Sequence, residues 1–523
     1  MRFIKRKNMD KKVFNIRFNT LTDISIIKDQ LVIEGFCDQQ NLNFEKQIFL
    51  ISTKDKRIIL HCSVGNEQFI CGKFFPLSDR YRHSYARLGK WILSKEGDDL
   101  VLTPASNLKQ AMMEVRLWLE YLKLHGTIEI RGIKVRLFYF LFYHWQKKLQ
   151  KKPILILSDR MDKAGDNAEA LFRYIQNHHK DQVDCYFAVN PSSKSGKYLS
   201  KVGPIIAPGG KEYKKLYWKG AIMISSQAED WIFRPYKGGT EAYKDLAADT
   251  HFIFLQHGIT KDDLSGWLNR ANKNIRILVT ATKPELDSFI HGNYGYTSKQ
   301  VKLTGFPRYD RLSSKPEKKI TILLTWRNYL VELPDEKGKR ALKENFDSST
   351  YQQMLSNLIS DMNFVSLVEN YGYQLQIMLH PCMEELREIL NKDADSRVHI
   401  LPYDTSYSKI FSQSNLIITD YSSVAFDFAN LRKPVIYYQQ DKEEFFGGTH
   451  MYKQGYYDYE ENGFGEVIYD KSQLFTVTES YLSNNCKLKE QYRERIDSTF
   501  PYSDRKNCER VYKEISKLYT KDK

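Results

Sequence analysis

Short apolar runs alternate with helical patterns along most of this chain. From Pro153 onward, seven apolar runs of strand length are separated by amphipathic stretches such as NAEALFRYIQNHH. After a polar break at SSKPEKK (313–319), five further runs follow the same rhythm. Buried strands that alternate with helices are typical of parallel sheets covered on both faces. The pattern therefore predicts an α/β protein with two Rossmann-type, doubly wound domains, at residues 153–312 and 318–475.

The two ends of the chain have different patterns. Residues 1–106 contain short apolar runs such as QLVIEGFC (30–37) and DLVLTP (99–104), with polar clusters between them. This spacing predicts a small, β-rich accessory domain with antiparallel pairing. Residues 476–523 are charged and have a helical pattern, so we expect helices that pack against one or both of the α/β domains.

A connector over residues 107–152 links the β-rich region to the α/β region. Its second half, GIKVRLFYFLFYHWQKKLQKK (132–152), combines aromatic residues with clustered lysines. The apolar part, Leu137 to Tyr143, is too short to span a bilayer. A basic, aromatic segment of this kind can lie in a membrane interface. A buried connector with a solvated basic end is an equally good interpretation.

Composition narrows the functional classes. The net charge is +15, from 79 basic and 64 acidic residues, which fits either a solvated surface or a partner that carries phosphates. The seven cysteines are scattered without a C-x-x-C pair, which disfavours a disulfide framework or a zinc site and fits a reducing compartment. GxGxxG and P-loop patterns are missing after the predicted strands, which disfavours hydride transfer and ordinary ATP hydrolysis.

Candidate chemistry lies where predicted strands end, because ligands of open α/β sheets bind beyond the carboxyl ends of the strands. Four such ends carry suggestive side chains, namely His257-Gly258, Trp326-Arg327, His380, and Asp420 with Ser422 and Ser423. A histidine can hold or move a proton near neutral pH. One histidine from each domain, facing a shared cleft, would provide a general base and a group that stabilises the leaving group. A structural role for either histidine stays open, and no third ligand with zinc-like spacing accompanies them.

The stretch IITDYSSVAFDFANLRKPVIYY (417–438) places two serines at the predicted start of a helix. A helix N-terminus exposes unpaired backbone N–H groups and the positive end of the helix dipole. Phosphate binds well at such a position, and hydroxyls add donors. The alternative is that Ser422 or Ser423 only caps the helix.

A set of motifs resembles one known family. QHGIT, TGFPRYDRL, LLTWRN, MLHP and ITDYSSVAFDFANLRKPVIYY occur in this order over residues 256–438. Together they resemble the CDP-glycerol glycerophosphotransferase family, which includes the teichoic acid primases and polymerases. DKAGDNAEALFRYI (162–175) and GYYDYEENGFGEVI (455–468) extend the resemblance over about residues 153–475. One departure is HGITKDDL, in which Ile259 replaces a threonine that often follows the glycine.

The resemblance implies a GT-B-like fold and a CDP-glycerol donor. It implies transfer of glycerol phosphate to a hydroxyl of a lipid-linked acceptor or growing polymer, with release of CMP, at the cytoplasmic face of the membrane. An anionic membrane surface is then an expected partner, whereas nucleic acid is not. We expect no cofactor, and dependence on a divalent metal stays open. The alternatives are a CDP-ribitol donor, a GT-B glycosyltransferase that uses a nucleotide sugar, and a non-catalytic protein that binds polyanions.

The resemblance also assigns roles on the acceptor side of the cleft. It implies that His257 is the base for the acceptor hydroxyl and that Gly258 and Thr260 contact substrate. Arg308 and Asp310, from the GFPRYD motif, either bind substrate or form a structural ion pair.

On the donor side, the resemblance implies that His380 binds or neutralises the diphosphate. It implies that Arg327 neutralises phosphate charge. Ser422 and Ser423, in the turn that begins at Asp420, are expected to contact the diphosphate. Asp427 lies one helical turn later and is expected to orient a hydroxyl or a basic partner.

Overall fold

The computed structural model describes most of the chain from residue 149 onward and parts of the region before it. The main described ranges are 149–229, 250–273, 275–332, 340–380, 386–402, 405–449 and 453–520. Before residue 149 the described parts are mainly the strands given below.

A seven-stranded parallel sheet forms the centre of what we call the N-terminal lobe. The strands lie in the order β11-β10-β9-β12-β13-β14-β15. Strands β9, β12 and β13 are neighbours at the centre, so the residues that follow them lie close together. The strands are β9 (Ile154–Ser158), β10 (Asp184–Ala188), β11 (Ile205–Ile206), β12 (Ile222–Ser225), β13 (Phe252–Phe254), β14 (Ile275–Thr280) and β15 (Val301–Leu303).

Helices cover both faces of this sheet. Leu155 and Leu157 pack on one face with the helix that contains Phe172, whereas Ile154 and Ile156 pack on the other face with Leu216. Alternate residues of a strand point to opposite faces, so a continuous apolar strand buries both. The helices are α1 (Asn167–His178), α2 (Lys194–Leu199), α3 (Lys211–Trp218), α4 (Arg270–Lys273) and α5 (Lys283–His291).

A six-stranded parallel sheet forms the centre of the C-terminal lobe, in the order β18-β17-β16-β19-β20-β21. The predicted parallel sheets are therefore confirmed, and β21 is a strand that the periodicity had not indicated. The strands are β16 (Lys319–Leu323), β17 (Gln374–Ile377), β18 (His399–Ile400), β19 (Ser414–Thr419), β20 (Val435–Tyr438) and β21 (Gly465–Ile468). The helices of this lobe are α6 (Thr350–Ile359), α7 (Met362–Asn370), α8 (Leu386–Asp393), α9 (Tyr407–Gln413), α10 (Val424–Asn430), α11 (Lys442–Glu444), α12 (Tyr459–Asn462) and α13 (Lys471–Ser483).

The last two helices connect the lobes. Helix α14 (Glu490–Thr499) and helix α15 (Asn507–Thr520) place Ile496 and Val511 in a hydrophobic core that also contains residues of both sheets. The Tyr512 hydroxyl donates to Gln182 of the N-terminal lobe at 3.4 Å. The chain therefore returns to the N-terminal lobe after it completes the C-terminal one.

The strands described within the first 104 residues form two small sheets. Strands β2 (Thr20–Ile27), β3 (Gln30–Cys37) and β4 (Glu45–Ser52) pair antiparallel, as predicted. The second sheet has the order β1-β5-β8-β7-β6, and here β1 pairs parallel to β5, which the prediction did not include. Its strands are β1 (Val13–Phe18), β5 (Arg57–Cys62), β6 (Tyr85–Leu88), β7 (Trp91–Glu96) and β8 (Asp99–Pro104).

Much of the connector lies outside the described residues. A short π-helical turn occupies Tyr139–Tyr143. Among the residues that the structure describes, no helix has both the length and the apolar character that crossing a bilayer requires.

Candidate active site

The loop after strand β13 begins with a strained residue. Gln256 has a φ of 61°, in the left-handed region, which costs a non-glycine residue about 1–3 kcal/mol. Its amide nitrogen donates to the carbonyl of Val279 at 2.7 Å and to Glu285 at 3.0 Å. Its amide oxygen accepts a bond of 2.6 Å from the Thr260 hydroxyl. These bonds hold the turn, so that the next residue, His257, leaves the sheet and is exposed.

Thr260 stabilises the loop after strand β13 through buried hydrogen bonds. It is buried, its hydroxyl is used by Gln256, and its backbone N–H donates to Glu285 at 2.8 Å. Burial raises the pKa of Glu285 to about 7, although several hydrogen bonds act in the opposite direction. This placement favours a structural role for Thr260 over the expected contact with substrate.

His257 is exposed, although protein around the imidazole removes part of its hydration. Loss of bulk water lowers its pKa, Asp166 raises it, and the charges of Arg160 and Arg308 lower it. A hydrogen bond to the backbone of Ser226 also raises the pKa, so the partner is the carbonyl, which accepts from the ring. The balance favours a neutral imidazole near pH 7. A neutral ring with one nitrogen tied to a carbonyl can accept a proton at the other nitrogen.

Two buried residues that sequence reasoning missed fix the position of the His257 loop. Asn167 donates to the carbonyl of Gln256 at 2.6 Å. Asp159 accepts from the backbone N–H of Ala168 at 3.0 Å and from the Ser226 hydroxyl at 2.6 Å. Burial raises the pKa of Asp159 to about 7. A signal was available, because Asp159 ends the first predicted strand of the lobe and Asn167 lies in the DKAGDNAEALFRYI motif.

His380 follows strand β17 in the C-terminal lobe. Its ring stacks on Trp326, with centroids 6.0 Å apart and an interplanar angle of 15°. Burial lowers its pKa to about 4, and the charges of Arg160 and His257 lower it further. Without ligand, His380 is thus neutral near pH 7, which favours hydrogen bonding to a diphosphate over the expected neutralisation of its charge.

The structure brings residues of the two lobes together in one cleft. The charge of His257 lowers the pKa of His380, which agrees with both side chains facing this cleft. A Cβ atom added to Gly258 would lie 2.6 Å from the hydroxyl of Ser423. The His-Gly loop of one lobe therefore touches the serine turn of the other, and only a glycine fits there without displacing Ser423.

The serine turn, Ser422 and Ser423, contains a hydroxyl that is available to bind a ligand. Helix α10 begins at Val424, and Ser422 accepts only a long bond of 3.4 Å from the Val424 N–H. Ser423 precedes the helix but makes no capping hydrogen bond through its side chain. Both serines are half-buried. Conventional capping therefore does not account for Ser423, whose hydroxyl is free to donate to a ligand within the part of the chain described.

Arg327 and Asp420 lie in a buried ion cluster and not at the surface of the cleft. Both side chains are 0% exposed, and Arg327 Nη1 is 2.9 Å from Asp420. Arg327 Nε and Nη2 donate to Asp441 at 2.7 and 3.1 Å. The Asp420 carboxylate also accepts from the backbone N–H of Thr325 at 2.9 Å. Arg327 has no exposed surface and donates to two carboxylates, so it stabilises the loops that contain Asp420 and Asp441. This corrects the expectation that Arg327 neutralises the charge of a phosphate.

Arg308 joins the two lobes. Its Nε and Nη2 donate to the two oxygens of Asp427 at 2.6 and 2.9 Å, which is a bidentate pair. Its Nη1 donates to Asp166 at 2.7 Å and to the carbonyl of His257 at 3.1 Å. Asp427 therefore orients a basic partner, Arg308, which is one of the two roles expected for it. The contact to the His257 carbonyl makes Arg308 a positioning residue.

Asp310 does not pair with Arg308. Its carboxylate accepts from the backbone N–H groups of Asn507 at 2.9 Å and Cys508 at 2.7 Å. These groups begin helix α15, so Asp310 attaches the C-terminal helix to the N-terminal lobe. Both expected roles of Asp310, substrate binding and an ion pair with Arg308, are therefore corrected.

Across the described ranges, no group of three or more His, Cys, Asp or Glu side chains is arranged to hold a metal ion. The expectation that the chain has no resident metal site stays a prediction, because other parts of the chain lie outside these ranges.

Comparison with known proteins adds independent information. Residues 138–517 match the family model described as CDP-glycerol:poly(glycerophosphate) glycerophosphotransferase. The minor teichoic acid biosynthesis protein GgaB of Bacillus subtilis (strain 168) is 38% identical over 389 residues, which cover 74% of this chain and 42% of that protein. A teichoic acid glycerol-phosphate transferase of Staphylococcus aureus is 21% identical over 338 residues, which cover 59% of this chain and 79% of that protein.

The fold is similar to that of a solved relative. The structure of the wall teichoic acid polymerase TagF superposes with a TM-score of 0.51 and 15% identity, over 76% of this chain and all of that chain. The present chain spans about two fifths of the length of GgaB. The family model covers most of the chain, including both lobes and the cleft between them. The chain therefore belongs to the CDP-glycerol:poly(glycerophosphate) glycerophosphotransferase family.

Proposed function

We propose that this protein transfers glycerol phosphate from CDP-glycerol to a hydroxyl of a lipid-linked acceptor or growing polymer. CMP is released, and the product is a teichoic acid or a related phosphate-containing polymer of the cell surface. The observation that carries this proposal is the contact between Gly258, next to His257 in the N-terminal lobe, and Ser423 in the serine turn of the C-terminal lobe. Family membership supplies the class of donor.

The proposed step is a phosphoryl transfer to an alcohol. The acceptor oxygen attacks the phosphorus that carries glycerol, and a new P–O bond forms there. The bond from that phosphorus to the oxygen bridging the two phosphates breaks, and CMP leaves with the bonding electrons. The proton of the acceptor hydroxyl passes to the neutral imidazole of His257. Positioning and charge stabilisation supply most of the rate in reactions of this type.

The proposed placement of the donor follows from the groups that line the cleft. The diphosphate lies against the Ser422–Ser423 turn, where hydroxyl and N–H donors are available. His380 donates a hydrogen bond to it from the C-terminal lobe. The acceptor hydroxyl approaches from the N-terminal lobe near His257. This is a GT-B-like arrangement, with donor and acceptor held by different lobes.

The test of the function is a donor screen with purified protein. We expect release of CMP from CDP-glycerol in the presence of a lipid-linked acceptor, and mass analysis should show a product heavier by one or more glycerol phosphate units. CDP-ribitol and UDP-sugars are the comparison donors. Release of CMP only with CDP-ribitol would change the alcohol, and release of UDP from a nucleotide sugar would overturn the proposal.

We also propose a peripheral position on the cytoplasmic face of the membrane, through the segment of residues 132–152. In this segment Leu137, Phe138, Leu141 and Phe142 are each more than half exposed. Tyr139 faces inward, with its ring 5.3 Å from Trp218. The exposed apolar side chains lie one helical turn apart and a lysine cluster follows them in the sequence, which suits insertion into the headgroup region of an anionic membrane.

Changing Lys147, Lys148, Lys151 and Lys152 together to glutamate is expected to remove most binding to anionic vesicles, because each basic residue near such a surface contributes about 1 kcal/mol. Sedimentation with liposomes that contain phosphatidylglycerol measures this binding. Lys197→Glu with Lys201→Glu, on the surface of the N-terminal lobe, is the control. Unchanged sedimentation of the fourfold variant would contradict the membrane proposal.

A further inference from the structure

Arg160 is a cation that neither the motifs nor the proposed mechanism has used. It follows strand β9, at the centre of the seven-stranded sheet, and it is exposed. Its backbone N–H donates to the carbonyl of Lys163 at 3.1 Å, which closes a tight turn. Within the described residues its guanidinium forms no ion pair or hydrogen bond. Its position at the carboxyl end of β9, beside the ends of β12 and β13, places it at the cleft.

The charge of Arg160 acts on groups from both lobes. It affects His257 in the N-terminal lobe more strongly than Arg308 does, although Arg308 contacts the His257 backbone. In the C-terminal lobe it is the strongest charged influence on His380 and on Tyr407. The end of strand β9 lies beside the ends of β12 and β13, so the Arg160 side chain starts on the same edge of the sheet as the His257 loop, which agrees with its effect on these groups.

Two arginines of the motifs, Arg327 and Arg308, are already paired with carboxylates. Arg327 is enclosed by Asp420 and Asp441, and Arg308 is held by Asp427 and Asp166. The two imidazoles are neutral near pH 7 for the reasons given above. A diphosphate that enters this cleft brings at least two negative charges. Among the described groups that face both histidines, Arg160 is then a permanent positive charge with no carboxylate to compensate it.

We propose that Arg160 contacts the diphosphate of the nucleotide donor and supplies the positive charge that the motif-based assignment gave to Arg327. This inference rests on the proposed function for the identity of the donor. The guanidinium donates to phosphate oxygens in the plane that suits bidentate binding. It stabilises the negative charge that builds up on the leaving CMP as the P–O bond breaks.

The test compares Arg160→Gln, Arg160→Lys and the control Lys201→Gln, which removes the same charge from an exposed position before the edge strand β11. Loss of a hydrogen bond to a charged group corresponds to a decrease of about 10- to 100-fold in kcat/KM for CDP-glycerol in Arg160→Gln. Arg160→Lys is expected to recover part of this loss, and Lys201→Gln is expected to match the wild type. Equal kcat/KM for Arg160→Gln and wild type would overturn the inference while leaving the proposed function intact.

The pH dependence separates contact with the donor from a merely structural effect. Asp166, Arg308 and the Ser226 carbonyl also act on His257, and His257 acts on His380; these groups stay unchanged in the variant. Removal of the Arg160 charge therefore raises the pKa of both histidines. The acidic limb of the kcat/KM profile should move to higher pH in Arg160→Gln but not in Lys201→Gln. An unmoved limb would place Arg160 outside the cleft.

Binding of inorganic pyrophosphate, measured by calorimetry, tests the inference without turnover. We expect at least about tenfold weaker binding by Arg160→Gln than by wild type, from the same hydrogen-bond contribution. Should the wild type release no CMP from any CDP-alcohol, the proposed function fails and this measurement still decides the role of Arg160. Equal binding by the two proteins, or no binding by the wild type, would overturn the inference.

Discussion

Replacing His257 with alanine is expected to lower the rate of CMP release from CDP-glycerol by about 10²- to 10⁴-fold, because general base catalysis contributes an effect of this size. His380→Ala is expected to lose activity as well, through weaker hydrogen bonding to the donor. Steady-state CMP release at saturating CDP-glycerol measures both effects. His291→Ala is the matched control, since His291 is exposed at the end of helix α5.

The pH dependence of the wild type provides a second measurement for His257. The neutral imidazole is the active form of a base, so activity is present above its pKa and is lost as the pH falls through that value. The protein around the imidazole removes part of its hydration, which lowers the pKa of His257 below its ordinary value of 6.5. The acidic limb of kcat/KM, which reports the free enzyme, should therefore lie below pH 6.5. Near-wild-type turnover by His257→Ala, or a limb well above pH 6.5, would contradict the role of His257 as base.

Replacing Arg327 with methionine is expected to destabilise the C-terminal lobe by about 3–5 kcal/mol, since it leaves buried carboxylates without their partner. The guanidinium lies between Asp420 and Asp441, and the ring of Tyr351 lies over it at 4.6 Å. Without the guanidinium, the two carboxylates stay buried with no positive partner. They are then stable only if a proton neutralises them or if the lobe opens to water. Thermal unfolding and denaturant titration measure the loss.

Arg493→Met is the control for this variant. Arg493 pairs with Glu490 on the exposed surface of helix α14, and a pair of this kind contributes about 0–1 kcal/mol. One outcome would instead support the role that the motifs gave Arg327, which is neutralisation of phosphate charge. If Arg327→Met unfolded at the wild-type midpoint but bound CDP-glycerol far more weakly, the arginine would be a ligand of the donor and not part of the buried cluster.

The rhythm of strands and helices was predictable because it depends on local pattern. A strand such as Ile154–Ser158 is apolar throughout, and it forms wherever helices can cover both of its faces. The same rule located the site, since His257, His380 and Ser423 each follow a strand, and carboxyl ends of parallel strands share one edge. The sequence placed Gly258 at the end of a strand but did not show that Ser423 of the other lobe would be its neighbour.

The sequence by itself thus determined the parallel sheets, the motif positions and the family resemblance, because each depends on residues close together in the chain. Only the tertiary structure decided which charged groups are buried and which face the cleft. Arg160 and Arg327 both follow a β-strand, and nothing local distinguishes them. Arg327 lies 114 positions from Asp441 in sequence, and Arg308 lies 119 from Asp427, yet each pair is in direct contact. An arginine's role depends on the carboxylates beside it in space, and only folding brings those together.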